Sequence, residues 1–312
     1  MEVEEELVMD LSHEPNGAIA SNYIIPVTVK ELDLTNNRLT KIENLDHCTQ
    51  LERLILRQNK IDRLQGISSL ENLVELDLYD NKLKHIENLS GFTKLKRLDL
   101  SFNHISDISS LKQQCLDSLK ELYLIHNHIK QIAGLENLKS LELLELGDNK
   151  IRKIENLNSS SCLQSLWLGR NKISKVENLS NLSSLRCLSL QSNRIERIEN
   201  LDALVMLEEL YLSFNKLESV SGLPSLSHLR VLDLGNNRIR NFEGLVFLHE
   251  LRELWINDNN IDDFSQLDIL HEKTPKLETI YLEGNPLSQD SEYRTKVMEI
   301  LPHLKQLDAT PV

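Results

Sequence analysis

Aromatic side chains are scarce in this chain, with six Phe, six Tyr and two Trp among 312 residues. A core built from them is therefore excluded, and aliphatic residues must fill it. Glycine and proline are also few, at ten and seven, too sparse for a linker-rich or disordered chain. The four cysteines, Cys48, Cys115, Cys162 and Cys187, stand at scattered separations with no CxxC pair. That spacing fits reduced thiols better than a disulfide framework or a zinc site. No apolar run approaches the ~20 residues that a membrane-spanning helix needs.

Lysine and arginine are missing from positions 1–29, whereas Glu2, Glu4, Glu5, Glu6, Asp10 and Glu14 are all acidic. This is the reverse of a secretory leader, and residues 1–22 are expected to form an acidic flexible tail. The formal net charge of -13 repels nucleic-acid phosphates and anionic membranes, so neither is an expected partner. A protein with basic patches is the natural complement. Phosphate-binding, metalloprotease, nucleophile-elbow and dinucleotide motifs (GxxxxGK[ST], HExxH, GxSxG, GxGxxG) do not occur. The expectation is a chain that is not an enzyme and that takes no cofactor and no metal.

What the chain has in abundance is leucine at a fixed period. The spacing LxxLxLxxNx[IL] recovers Leu51, Leu54, Leu56, Asn59 and Ile61, and 22 residues later Leu73, Leu76, Leu78, Asn81 and Leu83. Marker asparagines run from Asn37 to Asn285 in twelve units, with two extra residues before Asn127 and four before Asn285. Within a unit, LxL alternates as a short strand requires. The asparagine offers hydrogen bonds to backbone groups that the following turn would otherwise leave unpaired.

The remainder of each unit, as in Ile173, Val176, Leu179 and Leu182, repeats every three residues. That period suits a 3₁₀-like or extended segment rather than an α-helix. Asn or Gly before the next leucine, from Asn44 and Gly66 to Gly222 and Gly244, suits a turn. One such unit buries too little apolar surface to offset its chain entropy, so units must stack.

These residues are the signature of leucine-rich repeats, which the sequence resembles from about residue 27 onward. The implied fold is an α/β leucine-rich repeat solenoid, curved, with a parallel concave sheet over residues 23–287 and a cap over 288–312. Tyr293, Val297, Ile300, Leu301, Leu304 and Leu307 around Pro302 would close its C-terminal end. Ile24, Ile25 and Val27 would close the other.

In that register the residue between the two strand leucines points out of the sheet. The column reads Asp33, Ile55, Asp77, Asp99, Tyr123, Glu145, Trp167, Ser189, Tyr211, Asp233, Trp255 and Tyr281. Five of the twelve are aromatic, far above what 14 aromatics in 312 residues place there by chance, and five are acidic. Exposed aromatics on strands also serve cross-strand packing. Rigid rings beside carboxylates nonetheless have the makeup of a protein-binding hot spot.

A second column follows each marker asparagine: Arg38, Lys60, Lys82, His104, His128 and Lys150, then Lys172, Arg194, Lys216 and Arg238. It is expected to be a solvated edge pairing with neighbouring carboxylates. His104, His126 and His128 could approach one another there without converging on a metal.

The 22-residue period, the KIENL-type segments (Lys41–Leu45, Lys153–Leu157) and the ending YLEGNPLSQDSEYRTKVMEILPHLKQLDAT from Tyr281 are similar to the leucine-rich-repeat regulatory subunits of type-one protein serine/threonine phosphatase. The resemblance implies a non-catalytic subunit of nucleus and cytoplasm that grips the protein phosphatase 1 catalytic subunit, with a phosphatase inhibitor protein as a further partner. It also implies partner contacts at Asp99, Tyr123, Glu145, Trp167, Asp233, Glu253, Trp255 and Tyr281, to which the column itself adds Tyr211. That family tends to have phenylalanine where Tyr123 and Trp167 stand. None of the six phenylalanines here lies in the basic-aliphatic-x-Phe docking peptide used by other regulators of that enzyme. Ciliary and cytoskeletal adaptors share the KIENL pattern and are the alternative reading.

Overall fold

The computed structural model describes residues 8–13, 25–223 and 226–312. The chain divides into two compact units, Met1–Lys150 and Ile151–Val312. The periodicity carries no mark at this boundary, since Asn149 and Asn171 are separated by the usual 22 residues.

In the first unit seven three-residue strands run parallel, each paired to the next. They are β1 (Val8–Asp10), β2 (Glu31–Asp33), β3 (Arg53–Ile55), β4 (Glu75–Asp77), β5 (Arg97–Asp99), β6 (Glu121–Tyr123) and β7 (Leu143–Glu145). Register follows the repeat, with Leu54 opposite both Leu32 and Leu76. The second unit continues the scheme with β8 (Ser165–Trp167), β9 (Cys187–Ser189), β10 (Glu209–Tyr211), β11 (Val231–Asp233), β12 (Glu253–Trp255), β13 (Thr279–Tyr281) and β14 (Gln306–Leu307), to which β15 (Thr310–Pro311) adds antiparallel.

Strands stay short because the backbone is turned away at a set point. Two residues beyond the second strand leucine the chain enters the left-handed region, at Asp80 (φ 55°), His126 (φ 53°) and Asp258 (φ 52°) among others. The marker asparagine comes next and is buried. Asn127 Oδ1 accepts the N–H of Ile105 in the previous repeat at 2.9 Å, while its Nδ2 donates to the carbonyls of Leu100, Leu124 and Ile125 at 3.0, 3.2 and 3.3 Å. Asn237 does the same in the second unit, taking the N–H of Leu217 and reaching Leu212 and Leu234 carbonyls.

The period of three on the other side of each turn has a direct cause. Backbone N–H groups of Leu70 and Leu73 reach the carbonyls three residues back, as do those of Leu182 and Leu185, which is 3₁₀ bonding. Regular 3₁₀ helix forms at Ser109–Gln113 and Glu243–Leu245. The inserted residues become helix: the 3₁₀ segment at Ser109–Gln113 takes up the insertion before Asn127, and an α-helix, α1 (Gln266–Lys273), takes up the longer one before Asn285. Left-handed turns sit at Asn44, Gly66, Asn156 and Asn200, whereas Gly244 lies in the 3₁₀ segment. A Cβ on Gly244 would meet Val220 O at 1.9 Å, so there it is close approach that requires glycine.

The expected tail is corrected at its middle. Val8–Asp10 form β1, paired with β2, and Leu11 N–H donates to Asp33 O at 2.8 Å. The reason is visible in the chain: Met9-Asp10-Leu11-Ser12-His13 repeats the pattern Leu32-Asp33-Leu34-Thr35-Asn36. It supplies the carbonyl of Leu11 that Asn37 Nδ2 needs, at 2.7 Å. Residues 1–7 and 14–24, with Ile24, lie outside the described residues. Of the other expected N-terminal cover residues, Ile25 is buried and Val27 is half exposed.

The C-terminal cover forms as α2 (Tyr293–Ile300) and the two last strands, burying Val297, Leu301, Leu304 and Leu307, with Tyr293 and Ile300 at its margin. Asp308 holds this end: one carboxylate oxygen accepts the N–H groups of Leu282 and Glu283, and the other accepts Tyr293 OH at 2.9 Å.

Asn127→Ala orphans the buried N–H of Ile105, costing ~1–3 kcal/mol, and removes one of two donors from each of the Leu100, Leu124 and Ile125 carbonyls. Urea denaturation followed by far-UV circular dichroism should therefore show a loss of about 1–3 kcal/mol. The exposed Lys130→Ala control should stay within about 0.5 kcal/mol.

Candidate functional site

The outward column exists as predicted from the repeat, and each unit presents its own part. In the first unit Asp77, Asp99, Tyr123 and Glu145 stand opposite one another on β4 to β7. Their carboxylates are not free. Asp77 and Asp99 are 7% exposed, and each accepts the backbone N–H two residues on, Tyr79 at 3.0 Å and Ser101 at 2.9 Å. Asp33 and Glu145 do likewise with Thr35 and Gly147. Each acid thus braces the turn that ends its own strand.

Burial has an electrostatic consequence. It pushes the Glu145 carboxyl up to about 7, against the opposing hydrogen bond from Gly147 and with help from the charge of Asp99. The same cause raises Asp77 to about 6, opposed by the Tyr79 N–H. The shift at Glu145 makes this sheet face less negative near neutrality than its composition.

Tyr123 is fixed from both sides. The Arg97 guanidinium lies over its ring, 4.2 Å from the centroid, and donates to its hydroxyl at 2.7 Å. That hydroxyl donates in turn to Glu121 at 2.9 Å. Arg97 also pairs with Glu75 at 3.3 Å and with Glu121. Sequence reasoning missed Arg97 and Glu121, although the signal was present: the first strand position alternates Glu31, Arg53, Glu75, Arg97, Glu121 over five repeats. Arg53 pairs with Glu31 in the same way.

In the second unit Trp167, Ser189, Tyr211, Asp233, Trp255 and Tyr281 occupy successive strands in register. Trp167 and Tyr211 are two strands apart, yet their rings stack at 5.9 Å and 23°. The intervening Ser189 is 1% exposed, and its small side chain leaves room for the two rings to meet. Trp255 and Tyr281 meet edge to face at 5.9 Å.

Asp233 lies buried between the two ring pairs, accepting Gly235 N–H at 3.0 Å and Ser213 Oγ–H at 2.5 Å. Burial raises its carboxyl above the usual range. Tyr211 OH donates to Glu209 and is pushed up, first by burial. Tyr281 OH accepts from Gln306 Nε2 at 2.7 Å. Glu253 opens β12 at the flank of this column and is half-buried. Trp255 Nε1 is buried with no acceptor among the described residues.

The residues picked from the sequence therefore fall into two groups, Asp99, Tyr123 and Glu145 in one unit and Trp167, Tyr211, Asp233, Glu253, Trp255 and Tyr281 in the other. Both surfaces are pre-organised, with rings held by neighbours and carboxylates held by backbone. Groups held in this way have little freedom left to lose on binding. Among the described residues no group of three or more His, Cys, Asp or Glu converges on a point where a metal ion could sit. His104 and His128 stack at 5.9 Å, while His126 turns to Asp148 at 2.6 Å.

Models of leucine-rich repeats match residues 27–70, 71–113 and 163–203, residues 93–151, and residues 198–312. Among curated proteins, protein phosphatase 1 regulatory subunit pprA of Dictyostelium discoideum is 45% identical over 62 residues, covering 20% of this chain and 18% of that protein. Protein phosphatase 1 regulatory subunit 7 of Homo sapiens is 62% identical over 34 residues, 11% of this chain and 9% of that protein. The matched stretches thus span a fifth or less of those relatives' length. Two solved structures share the fold. A leucine-rich repeat protein of Leptospira interrogans has a TM-score of 0.74 at 24% identity, covering 96% of this chain and 89% of that one. An internalin (inlF) of Listeria monocytogenes has a TM-score of 0.70 at 23% identity, covering 90% and 86%.

The raised Glu145 carboxyl makes a signed prediction. A carboxyl whose folded pKa lies above its unfolded value favours the folded state at low pH, and that advantage is lost as pH rises through about 7. Glu145→Gln keeps the acceptor for Gly147 and removes the buried charge. Its stability should equal wild type near pH 4 and exceed it above pH 7 by an amount on the order of 3 kcal/mol, read from denaturation midpoints across pH.

Proposed function

This chain belongs to the leucine-rich repeat family, and we propose that it is a non-catalytic regulatory subunit that binds the catalytic subunit of protein phosphatase 1. The observation that carries the reading is the identity, in short stretches, with proteins named as protein phosphatase 1 regulatory subunits. The sheet face adds physical support. Trp167 with Tyr211, and Trp255 with Tyr281, form two ring pairs whose orientation is set before any partner arrives. Large, rigid aromatics of this kind supply contact area without the rotamer cost of long aliphatic chains.

Within this reading the contact residues are Asp99, Tyr123 and Glu145 in the first unit and Trp167, Tyr211, Asp233, Glu253, Trp255 and Tyr281 in the second. The carboxylates select a partner surface carrying Lys or Arg, because a cation brought against Glu145 or Asp233 offsets the desolvation that now raises their proton affinity. The rings supply the apolar anchor. The same reading puts the protein in nucleus and cytoplasm, with a phosphatase inhibitor protein as an additional partner.

Isothermal titration of the purified phosphatase catalytic subunit tests this. Trp167→Ala and Trp255→Ala should each weaken binding by at least ~2 kcal/mol, roughly thirtyfold, with the circular dichroism spectrum unchanged. Unaltered affinity in a folded double variant would remove the anchors from the model. Because a partner cation drives the proton off Glu145, affinity should rise from about pH 6 to about pH 8, and Glu145→Gln should flatten that rise.

A further inference from the structure

The cations of the first unit are treated in two different ways. Where the chain enters the sheet they are neutralised: Lys30 pairs with Glu52 at 3.6 Å, Arg97 with Glu75 at 3.3 Å and Lys120 with Glu142 at 2.7 Å. Where the chain leaves the sheet, Arg57 before the turn pairs with Asp77 at 3.5 Å, but the cations past the turn do not pair. The column after the marker asparagines, Arg38, Lys60, Lys82, His104, His128 and Lys150, is exposed throughout, and none of its lysines or arginines forms an ion pair among the described residues.

The expectation that this column pairs with neighbouring carboxylates is thus corrected for the first unit. The two columns beyond it add Lys41, Arg63, Lys84 and Lys130, also exposed and also unpaired among the described residues. The acids there are Asp62 and Asp107, and Asp107 is occupied by the N–H and hydroxyl of Ser109. In the second unit the corresponding edge is mixed, since Glu196 and Glu218 enter it and Lys216 approaches Glu196 at 3.8 Å.

Parallel strands lie ~4.8 Å apart, so the column sets like charges on successive repeats side by side, where they repel. Asp62 and Asp80 are the exposed acids beside Lys60 and Lys82, and neither forms an ion pair with them among the described residues. An incoming anion would relieve the repulsion.

We propose that the strand-exit edge of the first unit, centred on Lys60, Lys82 and Lys84, is a docking stripe for an extended acidic segment of a partner protein. An extended peptide turns every second carboxylate to one side, ~6.6 Å apart along its axis, a spacing that flexible lysines on a ~4.8 Å repeat can follow. A long nucleic acid fits less well, because the sheet of the same unit carries Asp33, Asp77, Asp99 and Glu121 and the whole chain is acidic. This stripe is separate from the aromatic sheet face and does not depend on the phosphatase reading.

Fluorescence anisotropy with the full chain and a labelled oligo-glutamate of about ten residues is the test. Wild type should bind the peptide, more weakly as salt rises. The triple variant Lys60→Glu, Lys82→Glu, Lys84→Glu should lose affinity about tenfold or more, and the Lys→Gln version of the same triple, which introduces no repulsion, should lose less. A Trp167→Ala, Trp255→Ala chain should bind the peptide as wild type does, which separates this result from any outcome with the phosphatase. Equal binding by wild type and the Glu triple would overturn the proposal. So would loss of binding in the tryptophan variant, or tighter binding of an oligo-deoxythymidine of matched charge.

Discussion

One side chain per repeat carries the structural problem of this fold. A chain that leaves a parallel sheet every three residues exposes backbone N–H and C=O groups at the exit, and stacking buries them beneath the next repeat. The marker asparagine answers both needs at once, accepting an N–H from the repeat before it and donating to carbonyls on both sides of the turn, as Asn59 does with Leu39 N, Leu34 O and Leu56 O. An aspartate could only accept and an alanine could do neither. Because the asparagine sets where the turn falls, it sets which residue lies between the two buried leucines. The makeup of the outward sheet face is thus a consequence of backbone accounting.

That face is more constrained than a list of outward residues implies. Its acids serve the fold first, each accepting the N–H two residues on, so the column's preference for Asp is partly a turn preference. The rings serve each other, through Ser189 in one case and direct contact in the other. A column can therefore be structural and suited to recognition at once: groups already held by the protein lose little freedom when a partner meets them. Charge held in low-dielectric surroundings is what raises Glu145 and Asp77, and it is also what makes a partner's cation valuable there.

Much of this was legible from spacing. The period, the direction of Trp167 and Trp255, and the 3₁₀ character of the return segment all follow from which positions recur. What escaped had a physical reason in each case. β1 was hidden by composition, since its acidic surroundings read as a tail while Met9-Asp10-Leu11 repeats the strand motif with Met in place of Leu. α1 was hidden because four extra residues break the count without announcing a helix. The Arg97 clamp on Tyr123 was hidden because only the last strand position was read as a column. Its neighbour, two residues earlier on the same face of the strand, carried the alternation of Glu and Arg.

Net charge was the least informative of the global quantities, and the reason is geometric. In a stacked repeat, one position in the sequence becomes one line on the surface, so a preference repeated every 22 residues is not averaged over the protein but concentrated along an edge. A total of -13 is thus compatible with an edge where lysine and arginine go unpaired, provided that the acids sit on other lines. At ionic strengths where screening acts within ~10 Å, a binding partner responds to the nearest line of charge and hardly at all to the sum. For a molecule built this way, electrostatic expectations belong to columns, and the exit edge of the first unit departs from the molecule's average because it is a column of its own.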